Sequence, residues 1–113
     1  MEFVQSLEEY FTLVRDETPT VMVFTAGWCP DCTFLKTFID DVKQEYEGKL
    51  QMYWIDRDEY GDLCETLDIM GIPSFLAYKD GQVVSRFVNG KRKSKQEVKD
   101  FLDDFLSKLA ANV

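Results

Sequence analysis

Hydrophobic residues along this chain follow two spacings, one typical of amphipathic helices and one typical of buried strands. Apolar residues that recur every three or four positions predict helices, at 7–15, from Pro30 to the terminating Gly48, at 62–67 and after Ser94. Short β-branched and aromatic runs predict strands, at 21–26, 51–56, 74–79 and 82–88. The pattern therefore predicts alternating helices and strands, with a final strand pair before the last helix.

Short polar motifs mark the ends of these elements. In a capping box, a serine and a glutamate three residues later accept hydrogen bonds from each other's backbone N–H groups at a helix start. The two examples here are Ser6-Glu9 and Ser94-Glu97. Asp80-Gly81, between two strand-like runs, predicts a tight β-hairpin. This order of elements predicts one α/β domain over residues 1–113.

Composition and charge narrow the class of protein. The 113 residues are 45% hydrophobic, which is enough to form the core of one domain. The net charge is −8, so we expect neither nucleic acid nor a membrane surface as a partner. Residues 1–5 carry no basic, apolar leader, which predicts a cytoplasmic protein. The absence of histidine excludes Ser-His-Asp and Cys-His catalysis.

The strongest chemical signal is Trp28-Cys29-Pro30-Asp31-Cys32, between the first predicted strand and the second predicted helix. Two cysteines at this spacing can carry two electrons as a dithiol/disulfide pair. The N–H groups at a helix N-terminus stabilise a thiolate at Cys29. Zinc sites use the same spacing, but three cysteines without histidine make a poor zinc site, so we expect no metal. Pro73, in Gly71-Ile72-Pro73 before the third strand, is a candidate cis proline.

Taken together, these motifs resemble the thioredoxin family, and the resemblance covers nearly the whole chain. Its anchors are Trp28-Cys29-Pro30-Asp31-Cys32, Ile72-Pro73, Asp80-Gly81 and Asn89-Gly90. The resemblance implies a thioredoxin-like α/β fold, in which helices flank a central mixed sheet. Because only residues 1–5 precede the first helix, the family's usual first strand is short or absent, and we expect about four strands.

The resemblance also implies roles for individual residues. Cys29 is expected to be the exposed nucleophile that attacks a substrate disulfide, and Cys32 to be the buried cysteine that resolves the mixed disulfide. Pro73 is expected to be cis and to pack against the sulfurs, while the Ile72 backbone pairs with an extended substrate segment. Trp28 is expected to cover one side of the site. The expected substrate-binding residues are therefore Trp28, Pro30, Ile72 and Pro73.

Two departures from the family pattern concern residues outside the motif. The family's buried aspartate and the lysine that faces it correspond here to Val23 and Met52. Both partners are apolar, so no buried charge is left unpaired. The proline that usually kinks the second helix corresponds to Thr37, and we therefore expect a straighter helix.

A third departure is the dipeptide between the cysteines, where the family's usual Gly-Pro is replaced by Pro30-Asp31. One hypothesis is that Asp31 accepts a proton or a hydrogen bond near Cys32 during resolution. Its charge would also oppose a Cys29 thiolate, which favours a reducing catalyst. The alternative is that Asp31 only complements the helix dipole in the first turn.

These features predict a thiol–disulfide oxidoreductase that reduces protein or small-molecule disulfides through Cys29 and Cys32. We expect no cofactor beyond the redox-active disulfide itself, with electrons supplied from NADPH through a thioredoxin reductase. We also expect a monomer. The alternative is a thioredoxin-fold binding or accessory module with a regulatory dithiol and little general reductase activity.

Two further features leave alternatives open. Cys64 is either a small buried side chain or a regulatory or dimer-forming thiol. Lys91-Arg92-Lys93, with Lys95, is a basic cluster just before the last helix. This cluster is either a solvated loop or a site for an acidic partner or an anionic small disulfide.

Overall fold

The structure, a computed structural model, describes residues 1–111. Helices and strands alternate along the chain because the two hydrophobic spacings alternate in its sequence. In chain order the elements are α1 (Leu7–Val14), β1 (Thr20–Thr25), α2 (Pro30–Lys36), α3 (Ile39–Glu45), β2 (Gln51–Asp56), α4 (Gly61–Thr66), β3 (Ser74–Lys79), β4 (Gln82–Phe87) and α5 (Lys95–Ala111).

The strands form one mixed, four-stranded sheet in the order β2-β1-β3-β4. Strand β2 runs parallel to β1, which the intervening helical crossover allows, and β3 runs antiparallel to both β1 and β4. All six residues of β1 are buried, because this central strand is covered on both faces. The predicted α/β class, with a central mixed sheet of four strands, is confirmed.

A single β-bridge stands in place of the family's usual first strand. Phe3 and Trp54 form a parallel bridge. The Val4 N–H donates to the Trp54 carbonyl at 2.9 Å, and the Trp54 backbone N–H donates to the Glu2 carbonyl at 2.8 Å. The Phe3 ring also stacks on Trp54, with 6.2 Å between ring centroids. The N-terminal segment therefore covers part of the β2 edge without adding a full strand.

The expectation of one straight second helix is wrong, because this segment forms two helices, α2 and α3, that meet at Thr37 and Phe38. The Thr37 hydroxyl donates to the Phe34 carbonyl at 2.7 Å. The Thr37 and Phe38 N–H groups donate to carbonyls three residues back, and Phe38 has a φ of −136°. A threonine hydroxyl that bonds its own backbone competes with the regular helical ladder. Thr37 thus interrupts the helix at the family's proline position.

The start of α5 and the hairpin have the geometry that their motifs predict. Ser94 Oγ accepts a hydrogen bond from the Glu97 N–H at 3.1 Å, and Glu97 Oε1 accepts one from the Ser94 N–H at 3.1 Å. This is a complete capping box. Asp80 and Gly81 have φ values of 51° and 81°, which identify a type I′ turn between β3 and β4.

Buried side chains form two hydrophobic clusters, because successive residues of β1 point to opposite faces of the sheet. One cluster contains Met22 and Phe24 together with both Cys29 and Cys32. The cluster on the other face contains Val23 and Met52. None of the helices in the described part of the chain is long and apolar enough to cross a membrane.

Candidate active site

The dithiol lies where the chain leaves β1 and enters α2. Cys29 is the N-cap of α2, and Pro30 is the first helical residue, where its missing N–H leaves no helical hydrogen bond unmade. Cys29 Sγ accepts a hydrogen bond from the Cys32 N–H at 3.2 Å. Sulfur therefore takes the place of the usual oxygen cap, and one sulfur of the pair is held at the helix start.

The loop before β3 forms the second wall of the site. The Ile72–Pro73 peptide bond is cis, and the Ile72 carbonyl oxygen lies 4.0 Å from Cys29 Sγ. Gly71 packs against the backbone of Gly90, so closely that a Cβ at Gly71 would stand 2.4 Å from the Gly90 nitrogen. The structure thus brings together the two motifs that were singled out in the sequence.

The two cysteines differ little in exposure, and the expectation of an exposed Cys29 is wrong. Cys29 is only 5% exposed, and Cys32 is fully buried. Cys29 is buried because its sulfur turns inward, toward the Cys32 N–H and the Ile72 carbonyl. Cys29 is nevertheless the more accessible of the two, which is the order that the resemblance implied.

The surroundings of Cys32 favour its thiol form. Burial raises the pKa of Cys32 to about 11, and the neighbouring Cys29 adds to this increase. The Thr25 hydroxyl and the Ala26 backbone act in the opposite direction and lower this pKa. Thr25 Oγ1 is buried and forms no hydrogen bond of standard geometry with any other described residue. Its hydroxyl is therefore available to a Cys32 thiolate.

Trp28 lies at the surface beside the dithiol, and its side chain is 64% exposed. The indole N–H donates to Asp58 Oδ2 at 2.7 Å, so the ring is held by the turn that follows β2. Nothing in the sequence analysis indicated a role for Asp58. A large, exposed aromatic side chain fixed beside the site offers apolar contact area to a partner.

The family model for thioredoxin matches residues 2–104. This chain belongs to the thioredoxin family. It is 36% identical to the mitochondrial thioredoxin of Bos taurus over 97 residues, which cover 86% of this chain and 55% of that relative. Thioredoxin C-2 of Corynebacterium nephridii is 34% identical over 79 residues, which cover 70% of this chain and 73% of the relative. The chain spans about half the length of the mammalian mitochondrial relatives that it matches.

Solved thioredoxin structures share the fold. The thioredoxin of Trypanosoma brucei brucei matches with a TM-score of 0.80 at 18% identity, covering 92% of this chain and 88% of that one. A mutant thioredoxin of Halobacterium salinarum NRC-1 matches with a TM-score of 0.78 at 22% identity, covering 93% and 89%. These likenesses establish the thioredoxin fold for the chain.

An ion pair, which the sequence reading missed, crosses the rim of this thioredoxin-family site. Arg92 Nε donates to Asp31 Oδ1 at 2.9 Å, and the Arg92 guanidinium lies 4.4 Å from the centroid of the Phe34 ring. The Asp31 side chain is about one-third exposed, at 34%. The charge of Asp31 is therefore partly balanced by Arg92. The basic cluster before α5 was the signal in the sequence, but it did not indicate that Arg92 points toward Asp31.

Lys93 behaves differently from the rest of the basic cluster. The residue is 1% exposed, whereas Lys91, Arg92 and Lys95 are exposed. Its ammonium donates to the Asn89 carbonyl, to Asn89 Oδ1 and to the Lys91 carbonyl, at 3.2, 3.0 and 2.7 Å. Burial lowers the pKa of Lys93. Neither of the two readings of this cluster anticipated a buried lysine.

The residues that replace the family's buried aspartate and lysine are ordinary core residues here. Val23 and Met52 are 0% and 1% exposed and belong to the cluster on the α5 side of the sheet. Cys64 lies in α4 and is also buried, and burial raises its pKa. This placement is that of a small core side chain, the first of the two readings of Cys64.

Proposed function

We propose that this chain is a thiol–disulfide oxidoreductase that reduces disulfides through Cys29 and Cys32. The observation that carries the proposal is the geometry of the Cys29 sulfur. It accepts the Cys32 N–H at 3.2 Å and lies 4.0 Å from the carbonyl of Ile72. A sulfur that accepts a backbone hydrogen bond is stabilised as a thiolate, the form that attacks disulfides.

In the first step, the Cys29 thiolate attacks one sulfur of the substrate disulfide. The substrate S–S bond breaks, a mixed disulfide forms between Cys29 and the substrate, and the other substrate sulfur leaves as a thiolate that takes a proton. The Ile72 carbonyl faces the attacking sulfur, and Pro73 follows it across the cis peptide bond. An extended substrate segment would lie along the Ile72 backbone, with Trp28 and Pro30 as neighbouring contacts.

In the second step, Cys32 loses its proton and attacks the Cys29 sulfur. The mixed disulfide breaks, and the substrate leaves as its second thiolate with the two electrons that the protein has given up. The protein is left with a Cys29–Cys32 disulfide. Because burial raises the pKa of Cys32, removal of its proton is the demanding part of this step. The Thr25 hydroxyl assists by stabilising the thiolate. Asp31 as proton acceptor remains a hypothesis, and Asp31→Asn should slow resolution if it holds.

Reduction of the Cys29–Cys32 disulfide completes the cycle. We propose that electrons come from NADPH through a thioredoxin reductase, and that the chain itself carries no further cofactor. A reducing compartment such as the cytoplasm would keep the two cysteines in their reduced, dithiol form. The substrates would be proteins with accessible disulfides. The working species would be a monomer. Oxidation of NADPH by a thioredoxin reductase in the presence of the oxidised chain tests this source of electrons.

Reduction of a protein disulfide tests the enzymatic proposal directly. Insulin, with dithiothreitol as electron donor, should be reduced by the wild-type chain and by Cys64→Ala, which alters a cysteine in α4. Cys29→Ser should abolish turnover, and Cys32→Ser should accumulate a mixed disulfide that non-reducing electrophoresis detects. Equal, near-background rates for wild type and Cys29→Ser would instead favour the accessory-module reading.

A further inference from the structure

Lys93 is the one charged residue among the buried polar and charged residues of the described chain. Its Nζ faces three oxygen acceptors, the Asn89 carbonyl, Asn89 Oδ1 and the Lys91 carbonyl, all within 3.2 Å. A neutral amine has only two N–H groups, whereas an ammonium has three. The three contacts therefore identify Lys93 as a buried cation.

No carboxylate of the described residues lies within salt-bridge distance of the Lys93 ammonium. Its partners are neutral carbonyl dipoles, and its Nζ lies 5.2 Å from the centroid of the Phe87 ring. A buried charge without a counter-ion is costly and acts strongly on ionisable neighbours, because little water screens it. The charge thus has an effect beyond its own hydrogen bonds.

The ionisable groups around Lys93 include both cysteines of the dithiol. Burial lowers the pKa of Lys93, and the groups that oppose this shift are, in order of size, Cys32, Glu97, Asp31 and Cys29. Glu97 is engaged by the Ser94 backbone, and Asp31 is paired with Arg92. The dithiol is therefore the acidic neighbour whose charge changes during turnover.

The loop that Lys93 holds is also the support of the cis-proline wall. The Asn89 carbonyl accepts from the Lys93 ammonium and, at 3.4 Å, from the Ser74 hydroxyl next to Pro73. Gly90 in the same loop packs against Gly71. The ammonium thus binds the loop that packs against the segment facing the Cys29 sulfur.

We propose that Lys93 is a positioning residue that supplies the dithiol with a buried positive charge and thereby stabilises its reduced, anionic form relative to the disulfide. This inference rests on the proposed function. Where one sulfur of the reduced pair is ionised, reduction of the neutral disulfide takes up two electrons and one proton and leaves one thiol and one thiolate, so the reduced site gains a negative charge. A fixed cation nearby favours that state, which makes the pair easier to reduce.

The test is the redox equilibrium of purified variants with reduced and oxidised glutathione. Lys93→Met removes the charge but keeps a long side chain, and Lys93→Gln keeps an N–H donor without charge. Both should shift the equilibrium about tenfold toward the Cys29–Cys32 disulfide, which corresponds to about 30 mV. Thiolate absorbance in the ultraviolet should also rise at a higher pH in both variants.

Lys95→Met is the matched control, because Lys95 is exposed and this substitution removes the same charge from the same region. It should stay within about twofold of wild type, as expected for a screened surface charge. A redox equilibrium within twofold of wild type for both Lys93→Met and Lys93→Gln would overturn the proposal. If the wild-type chain formed no Cys29–Cys32 disulfide in any buffer, the proposed function itself would fail, which is a distinct result.

Discussion

At the scale of single residues, Cys29 and Cys32 carry the same functional group in different surroundings. The Cys29 sulfur accepts a backbone N–H, whereas the Cys32 thiol is fully buried beside the Thr25 hydroxyl. A backbone hydrogen bond at one sulfur, and burial that favours the neutral thiol at the other, distinguish the proposed attacking group from the proposed resolving group. The division of labour thus follows from burial and hydrogen bonding.

The pH dependence of resolution should follow from the raised pKa of Cys32, about 11. Below that value the thiolate fraction rises about tenfold per pH unit, so resolution of a mixed disulfide should accelerate by about a hundredfold between pH 7 and pH 9. Stopped-flow release of thionitrobenzoate from the Cys29 adduct measures this rate. A rate independent of pH over this range would contradict the assignment.

Thr25 offers the matched variants for that experiment. Thr25→Val removes the hydroxyl that lowers the Cys32 pKa and should slow resolution about fivefold at the same pH. Thr25→Ser keeps the hydroxyl and should retain most of the rate. Cys32→Ser should release only the first equivalent of thionitrobenzoate.

At the scale of elements, the site depends on two loops that meet with no space between them. A Cβ at Gly71 would stand 2.4 Å from the Gly90 nitrogen, which is backbone and has no flexible end that could move aside. Gly71→Ala should therefore lower the free energy of unfolding by more than about 2 kcal/mol. Urea denaturation measures this change.

Gly27→Ala is the control for this substitution, because nothing lies within 4 Å of a Cβ at Gly27. Gly27 is also close to the dithiol in sequence, so general sensitivity of the active-site region would affect both variants. Equal stabilities for the two alanine variants would show that the loops can separate without cost.

Sequence patterns predicted the elements well where local signals determine them. The hairpin at Asp80-Gly81 and the start of α5 follow from residues that bond within a few positions. The break between α2 and α3 was missed because hydrophobic spacing continues through Thr37. A threonine is compatible with a helix in most contexts, and its hydroxyl bond to the Phe34 carbonyl becomes visible only in the structure.

At the scale of the whole molecule, buried acids make the fold sensitive to alkaline pH. Burial raises the pKa of Tyr10 and of Tyr78, whose hydroxyls share a hydrogen bond of 2.6 Å, and also raises that of Cys32. The unfolded chain loses these protons from about pH 9 upward, whereas the folded chain keeps them. Stability should therefore fall as pH rises, by up to about 1.4 kcal/mol per pH unit for each group.

Urea denaturation between about pH 8 and pH 10.5 measures this slope. The double variant Tyr10→Phe/Tyr78→Phe removes both partners of the buried pair and should flatten the slope relative to wild type. Lys93 acts in the opposite sense, because its lowered pKa makes deprotonation easier in the folded chain. A slope that is equal in wild type and the double variant would contradict the tyrosine contribution.

The sequence by itself determined the dithiol and, apart from the break at Thr37, the order of helices and strands, because each depends on neighbouring residues or on periodicity. Its motifs also carried the resemblance to the family. Only the tertiary structure decided that Arg92 pairs with Asp31, which lies 61 positions away in the chain. It also decided that Lys93, among four basic residues in a row of five, is the one that is buried. In the sequence, a run of charged residues predicts a solvated segment. Only the packing of the β4–α5 loop against Gly71 and Ser74 encloses one of these charged side chains.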